Sequence, residues 1–255
     1  MKAVILAAGV GSRLAPLTND RPKVLVEVLG KSILFRQLDW LAAAGIASRD
    51  VVVVGGYRID ALRDALGKAG HACEIVLNEK YEPWGNFFSL QVAEPFVRGH
   101  DFLQLDGDVI LDAKILPRMI AAPGDALLAT DPTAELDDDA MKVQLDAAGH
   151  VKALSKTIDP TICMGEYIGV TKLSAAAGAK VFHELAKFPG EGLTHEYYDH
   201  AYHRLSERGE VPFGIVDIRD CTVLEIDDKV DLERVERKLR EQADLHADPP
   251  AKSRT

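Results

Sequence analysis

The sequence predicts an α/β fold: a mostly parallel, mixed sheet with helices on both faces and a small hairpin and helical insertion to one side. Three observations carry this. Short β-branched runs alternate with helical periodicity through the first half, the rhythm changes after Asp131, and a glycine-containing loop follows the first strand.

Residues 3–6 form a short apolar strand. Apolar residues then recur at helical spacing over 34–41, between Ser32 as a possible N-cap and Gly45 as a stop. Residues 51–54 are a continuous β-branched run, and the alternation continues with a helix over 59–66, a strand over 73–77, a helix over 87–97, a strand over 102–105, a helix around 116–120 and a strand over 126–129. In such sheets, ligands bind at the carboxyl ends of the strands. Beyond Asp131 an acidic loop at 135–139 leads to strands at 141–145 and 151–154, joined through Ala148-Gly149 as a hairpin. A strand over 166–173, helices over 175–186 and 195–207, a strand over 223–226 and a helix from about 230 to 242 complete the pattern. The reading is one domain over 1–240, with the insertion at about 131–210 and a disordered tail over 241–255, rich in Pro and charge from Ala247 onward.

Composition narrows the function. Of 255 residues, 47% are hydrophobic and 27% charged, and no apolar run reaches the roughly 18 residues of a membrane span. A net charge of -10 opposes general affinity for nucleic acid or anionic membrane, so any phosphate site must be local. Cys73, Cys163 and Cys221 show no paired spacing, which points to a reducing compartment, the cytoplasm.

The chemistry concentrates in the loop over residues 8–23. Leu6-Ala7-Ala8-Gly9-Val10-Gly11-Ser12-Arg13-Leu14 leaves a strand with two glycines and a small residue where backbone N–H groups can converge on an anion without a Cβ in the way. Arg13 adds a charged fork and Lys23, after Pro22, a compact second charge. Leu14 stands where a dinucleotide loop has its third glycine, and the P-loop spacing is absent. A glycine pair alone would also suit a plain tight turn. Farther on, Asp106 and Asp108 close a strand two residues apart. A solvated loop is the plain reading, while a magnesium site needs only one such carboxylate and another from a distant segment.

The whole string Leu6 to Thr18, followed by Pro22-Lys23-Val24-Leu25-Val26-Glu27, closely resembles the signature of the sugar-phosphate and phosphocholine nucleotidyltransferase family. The resemblance implies a Rossmann-like nucleotidyltransferase fold with the insertion on the acceptor side. It places Arg13 near the β- and γ-phosphates of an NTP and Lys23 between nucleotide and acceptor phosphates. It implies Mg2+ as cofactor, held by Asp108 and by Asp227 of Glu225-Ile226-Asp227-Asp228, with Asp228 as the alternative ligand or as a helix cap. Ala15 departs from the basic residue many members carry there.

On this reading Leu6, Ala7, Ala8, Gly9, Gly11, Ser12, Arg13 and Lys23 bind nucleotide, with Gly85, Asn86, Ser89 and Asp106; Arg13, Lys23, Asp108 and Asp227 are catalytic. The segments 78–81 and 85–90 resemble the cytidylyltransferase branch, which favours CTP, although Asn86 would equally serve as an ordinary helix N-cap. Lys156, Glu166, Tyr198 and Asp199 map to the acceptor side, with Trp84 beside them. The aromatic and acidic groups would suit a cationic amine, and the tyrosines would equally suit the packing of an amphipathic helix. The expected reaction moves CMP from CTP to phosphocholine, phosphoethanolamine or 2-aminoethylphosphonate, releasing pyrophosphate. The alternatives are a sugar-1-phosphate or inositol-phosphate nucleotidyltransferase using UTP, dTTP, GTP or CTP, a non-catalytic nucleotide-sugar-binding regulatory subunit, and a dinucleotide-dependent oxidoreductase. The eight histidines show no catalytic spacing.

Overall fold

The structure is a computed structural model describing residues 1–246. In chain order the first half contains β1 (Lys2–Ala7), the short strands β2 (Glu27–Val28) and β3 (Lys31–Ser32), α1 (Ile33–Ala43), β4 (Val51–Gly55), α2 (Ile59–Lys68), β5 (Glu74–Leu77), α3 (Phe87–Val92), α4 (Glu94–Val97), β6 (Phe102–Asp106), β7 (Val109–Leu111) and α5 (Ile115–Ala121). The second half contains β8 (Ala126–Asp131), β9 (Lys142–Leu145), β10 (Val151–Ser155), β11 (Gly165–Leu173), α6 (Ala175–Leu185), α7 (Tyr198–Glu207), β12 (Gly214–Asp217), β13 (Val223–Glu225) and α8 (Lys229–His246).

The main sheet runs β10-β9-β11-β6-β1-β4-β5, with β8 and then β12 joined to β11. β1 lies between β4 and β6, parallel to both, with Leu6 opposite Val54 and Asp106. β5 extends this half in parallel. β11 changes the architecture. It runs antiparallel to β6 through Val170–Leu173 and to β9 through Gly165 and Glu166, so one strand belongs both to the central sheet and to the hairpin. The fold is the mixed α/β sheet the sequence predicts.

Alternation along the central strands feeds two cores. Ala3, Ile5, Val51, Val53, Leu103 and Leu105 pack with apolar residues of α1, α2 and α5 on one face. Val4, Val52, Val54 and Phe102 pack with those of α3, α6 and α7 on the other. This is the period-two pattern of a sheet covered on both sides. A third, smaller core of Leu14, Val26, Val28, Ile33, Ile110, Leu224, Ile226 and Val235 joins the N-terminal loop to β7, β13 and α8.

The helix expected over 87–97 is two helices, α3 and α4, meeting at Ala93. Pro95 has no N–H with which to continue the ladder. β7 and β12 were not legible as separate strands, being three and four residues long. α7 begins at Tyr198 rather than 195, and α8 continues through His246, past residue 240 where the tail was expected to begin. Residues 247–255 of that tail lie outside the described residues. Among the described residues no helix is long and apolar enough to cross a membrane, and the three cysteines are unpaired.

Two glycines set the close approaches at the strand ends. Gly169, at φ +74°, lies where β11 shifts register against β8, and a Cβ there would stand 2.6 Å from Asp106 Oδ2. Gly107 follows β6, and a Cβ would fall 2.4 Å from the Leu6 carbonyl and 2.7 Å from Val24. The Leu6 carbonyl is backbone and cannot yield as a side-chain tip would. Gly107→Ala should therefore cost ~2 kcal/mol or more by overpacking, lowering Tm by ~4–8 °C in a chain of this size. Thermal denaturation followed by circular dichroism checks this; an unchanged Tm would mean the strand-end loop is not tightly seated.

Candidate active site

The N-terminal loop is shaped from within. Gly11 adopts the left-handed conformation at φ +65°, and a Cβ would lie 2.8 Å from that of Lys23. Thr18, buried, donates its hydroxyl to the Gly11 carbonyl at 3.0 Å, closing the loop. Leu14 is fully buried in the third core, which leaves neighbouring Ser12 and Arg13 exposed. Gly9 is exposed with open space where a Cβ would be.

Residues from three distant segments meet beneath this loop. Lys23 Nζ donates to Asp108 Oδ2 at 2.9 Å and to Asp227 Oδ1 at 2.7 Å. Arg13 Nη2 lies 2.9 Å from Asp227 Oδ2. The segments are held together by antiparallel pairing of β13 with β7, which sets Glu225 opposite Val109, and by the Ile226 N–H donating to the Asp108 carbonyl at 3.2 Å. Asp228 accepts from Val230 and Asp231 N–H groups and so caps α8. Asp231 in return accepts from the Asp227 and Asp228 N–H groups, a reciprocal cap that fixes the backbone at Asp227. The alternatives open for Asp228 thus resolve toward capping.

Two residues absent from the sequence reading complete this centre. Glu225 offers a carboxylate oxygen within 4.8 Å of those from Asp108 and Asp227. Its surface is open, yet it stands in a crowded recess; desolvation, then Asp108 and Asp227, push its carboxyl up to about 7. The same quoted string that contains Asp227 contains it two residues earlier, the spacing that also separates Asp106 from Asp108. Gln37, fully buried on α1, donates its amide to the carbonyls of Asp106 (2.7 Å) and Val109 (3.1 Å), bracketing Asp108.

Charge is balanced locally. Burial disfavours the Lys23 ammonium, but Asp108 and Asp227 outweigh it and hold its pKa above the ordinary value. Burial would raise Asp227; Lys23 and Arg13 reverse that and hold it below the usual carboxylate range. Three carboxylates are a hard-oxygen donor set matched to Mg2+, and the ammonium between two of them marks a position where positive charge is stabilised. The residues fit the ion the sequence reading expects.

Asp106 plays a different part. It is half-buried, accepts from Tyr198 Oη at 2.7 Å and from Gln104 at 3.0 Å, and is pushed well above the carboxylate range by desolvation and by Asp108. Tyr198 Oη also meets Tyr167 Oη at 3.1 Å, and Tyr167 contacts Gln104 and Thr171. The Tyr198 ring is fully buried, so it braces α7 from below. Asn86 Oδ1 accepts from the Tyr198 N–H at 3.0 Å, and Asn86 makes no side-chain cap to α3. Ser89, buried, accepts from Asn78 at 2.9 Å. Gly85 donates to the Thr194 carbonyl at 2.8 Å, and a Cβ would overlap the Glu196 carbonyl. These three expected nucleotide contacts thus join the strand-end segment to the approach of α7.

On the far side, Lys156 Nζ lies 5.7 Å from the Tyr197 ring centre and 3.8 Å from Asp139. Glu166 is pushed up to about 7 by burial and by Asp137 and Asp131, against Lys142 and Lys156. Asp199 is pushed up to about 7 chiefly by burial, with His200 and Lys156 opposing. Lys156 therefore stands in the field of both acids. Two concavities elsewhere, one lined by Glu94, Phe102 and His183 and one by Asp146, His150 and His203, include none of these groups.

A glycine loop carrying Arg13 and Lys23 thus faces a carboxylate centre at the strand ends of a mixed α/β sheet. The signature described as Nucleotidyl transferase matches residues 2–136, and the chain belongs to that family. It is 31% identical to CMP-5'-(3-aminopropyl)phosphonate synthase of Streptomyces rubellomurinus over 98% of this chain and 39% of that protein. It is 38% identical to choline-phosphate cytidylyltransferase of Streptococcus pneumoniae over 37% of this chain and 39% of that protein. Each match thus spans well under half of the relative's length. Among solved structures, the inositol-1-phosphate CTP transferase from T. maritima superposes with a TM-score of 0.76 at 23% identity, covering 97% of this chain and 98% of that one. This likeness is one of fold.

The raised acid at Asp199 has a measurable sign. A carboxyl whose pKa rises on folding, from 3.8 to about 7, stabilises the fold fully only below the ordinary value, and that stability is lost as pH climbs through about 7. Asp199→Asn removes the ionisation. Its Tm relative to the unsubstituted protein should rise between pH 5 and pH 8 by ~5 °C or more, from a stability difference of roughly 2–3 kcal/mol. A Tm difference independent of pH would show that Asp199 titrates normally.

Proposed function

We propose that the chain catalyses Mg2+-dependent transfer of CMP from CTP to a small phospho- or phosphono-acceptor of the phosphocholine, phosphoethanolamine or 2-aminoethylphosphonate type. The observation that carries the reading is the convergence of Arg13, Lys23, Asp108 and Asp227 at the mouth of the glycine loop. The cytidylyl relatives support the choice of CTP.

An acceptor phosphate is largely dianionic at neutral pH and is already a nucleophile. One of its oxygens forms a bond to the α-phosphorus of CTP while the bond from that phosphorus to the bridging oxygen breaks; the electron pair leaves with pyrophosphate. Arg13 and the loop N–H groups would hold the β- and γ-phosphates, and Lys23 would bring α-phosphate and acceptor oxygens together while offsetting their charge. Asp108 and Asp227, with Glu225 beside them, would hold Mg2+, which supplies further charge neutralisation at the phosphates. Lys156, Glu166 and Asp199 would line the acceptor end, where two acids beside one lysine suit an ammonium group. Tyr198 would act there by positioning α7.

A second reading, transfer to an inositol or sugar phosphate, is favoured by one observation. Tyr198, placed by the sequence on the acceptor side as an aromatic suited to a cationic amine, is fully buried, as is Tyr202 one turn on.

Pyrophosphate release measured across CTP, UTP, dTTP and GTP, each with amine-bearing and polyhydroxy acceptors, separates the two. Turnover should be greatest with CTP and an amine-bearing phosphate or phosphonate; turnover confined to hexose or inositol phosphates would overturn the amine assignment. Asp108→Asn should lower kcat by ~100-fold or more while the fold persists. Unchanged turnover in that variant would refute its place as a ligand.

A further inference from the structure

We propose that Lys23 is a resident counter-ion that competes with the divalent cation for the carboxylate centre and is drawn away by a triphosphate, so that nucleotide promotes loading of the metal. The inference rests on the reading of Asp108 and Asp227 as the cation's ligands and adds a condition on when they become available.

The oxygens that would bind the ion are already engaged. Lys23 Nζ takes Asp108 Oδ2 and Asp227 Oδ1, and Arg13 takes Asp227 Oδ2. Glu225 is the only acid of the three with no hydrogen-bond or ion-pair partner among the described residues. The Lys23 side chain is 12% exposed, against 30% for each aspartate, so the ammonium is embedded rather than laid across the mouth. A divalent cation and an ammonium bonded to the same two oxygens would repel strongly at that spacing. Entry of the metal therefore requires Lys23 to leave.

The side chain can do so. A lysine is a point charge on a flexible four-carbon stem, unlike the rigid fork of arginine. Leaving both aspartates is costly unless another anion replaces them. Such a place adjoins it: the loop at Gly9 and Gly11, with the Gly11 backbone in contact distance of the Lys23 stem. A triphosphate seated in that loop would take the ammonium and the Arg13 guanidinium, exposing the carboxylates. By reciprocity, metal bound at the carboxylates then strengthens nucleotide binding.

Binding of Mn2+ followed by electron paramagnetic resonance tests this with the full chain, with and without a CTP analogue carrying a methylene between the α- and β-phosphorus. Lys23→Met should bind Mn2+ alone ~10-fold or more tightly than the unsubstituted protein, and the tightening produced by the analogue should shrink by a similar factor. Lys23→Gln, which keeps an amide donor for the aspartates, carries the same comparison if Lys23→Met does not fold. Removing a positive charge would raise metal affinity even without displacement, so the lysine is read directly. Acetylation of Lys23 in the unsubstituted protein, scored by mass spectrometry against Lys152 as reference, should be slow without metal and faster under saturating Mg2+. Equal Mn2+ affinity in protein and variants, no Mn2+ binding in any of them, or Lys23 acetylation indifferent to Mg2+ would each overturn the proposal. Absence of CTP turnover alongside the expected binding and labelling would instead count against the proposed reaction alone.

Discussion

The pairing of β13 with β7 is the constraint on which the candidate site depends. It is only three residues long, yet it carries Glu225 and Asp227 to Asp108 across the length of the chain. Three acids so close would repel one another in a recess of low polarity. What makes the arrangement tolerable is the apolar cluster of Leu14, Ile110 and Ile226 under it, together with Lys23 and Arg13 above. Two of these buried aliphatics thus have charged groups of the centre as sequence neighbours: Leu14 follows Arg13, and Ile226 lies between Glu225 and Asp227. Hydrophobic packing supplies the position, and electrostatics then sets the local charge state.

The second organising element is β11. Its C-terminal half completes the central sheet, and its N-terminal half begins the hairpin side, with Gly169 at the bend resting on Asp106. From that acid a buried polar chain runs through Tyr198 to Tyr167 and Gln104, and Asn86 grips the same tyrosine by its backbone. The end of β6, the start of α3 and the start of α7 therefore share one set of hydrogen bonds. Buried networks of this kind are costly when a member is missing and rigid when all are satisfied. The two halves of the site have little freedom to shift independently at this point.

The loop over residues 8–23 was legible because its information is contiguous: glycines, Arg13 and Lys23 sit on one string, and the fold keeps them together. The central strands and their helices were legible for a similar reason, since periodicity is local. Glu225 and Gln37 were not. One is a strand-end acid whose partners come from the register of β7 with β13, and the other is a polar residue on an apolar helix whose amide partners are backbone carbonyls of another segment. Gln37 carries no signal within its own neighbourhood, and Glu225 carries only its two-residue spacing from Asp227. Asn86 and Tyr198 show the converse: residue types suited to ligand contact that also form hydrogen bonds to distant parts of the chain, while Ser89 pairs nearby with Asn78. Asp227 and Asp228 were separable in principle, because an acid immediately before a helix is itself a local capping pattern.

The ion pair between Lys23 and Asp227 spans 204 positions. A ribosome adding about 5–20 residues per second delivers the aspartate roughly 10–40 s after the lysine. Throughout that interval the glycine loop and the parallel strands can exist without the carboxylate that anchors the far side. A nascent chain halted before β13 would present the loop with Arg13 lacking its Asp227 partner and Lys23 left with Asp108 alone. Such a fragment would hold on to polyphosphates with no means of turning them over, which makes completion of the last strand a condition for a harmless protein as well as for an active one.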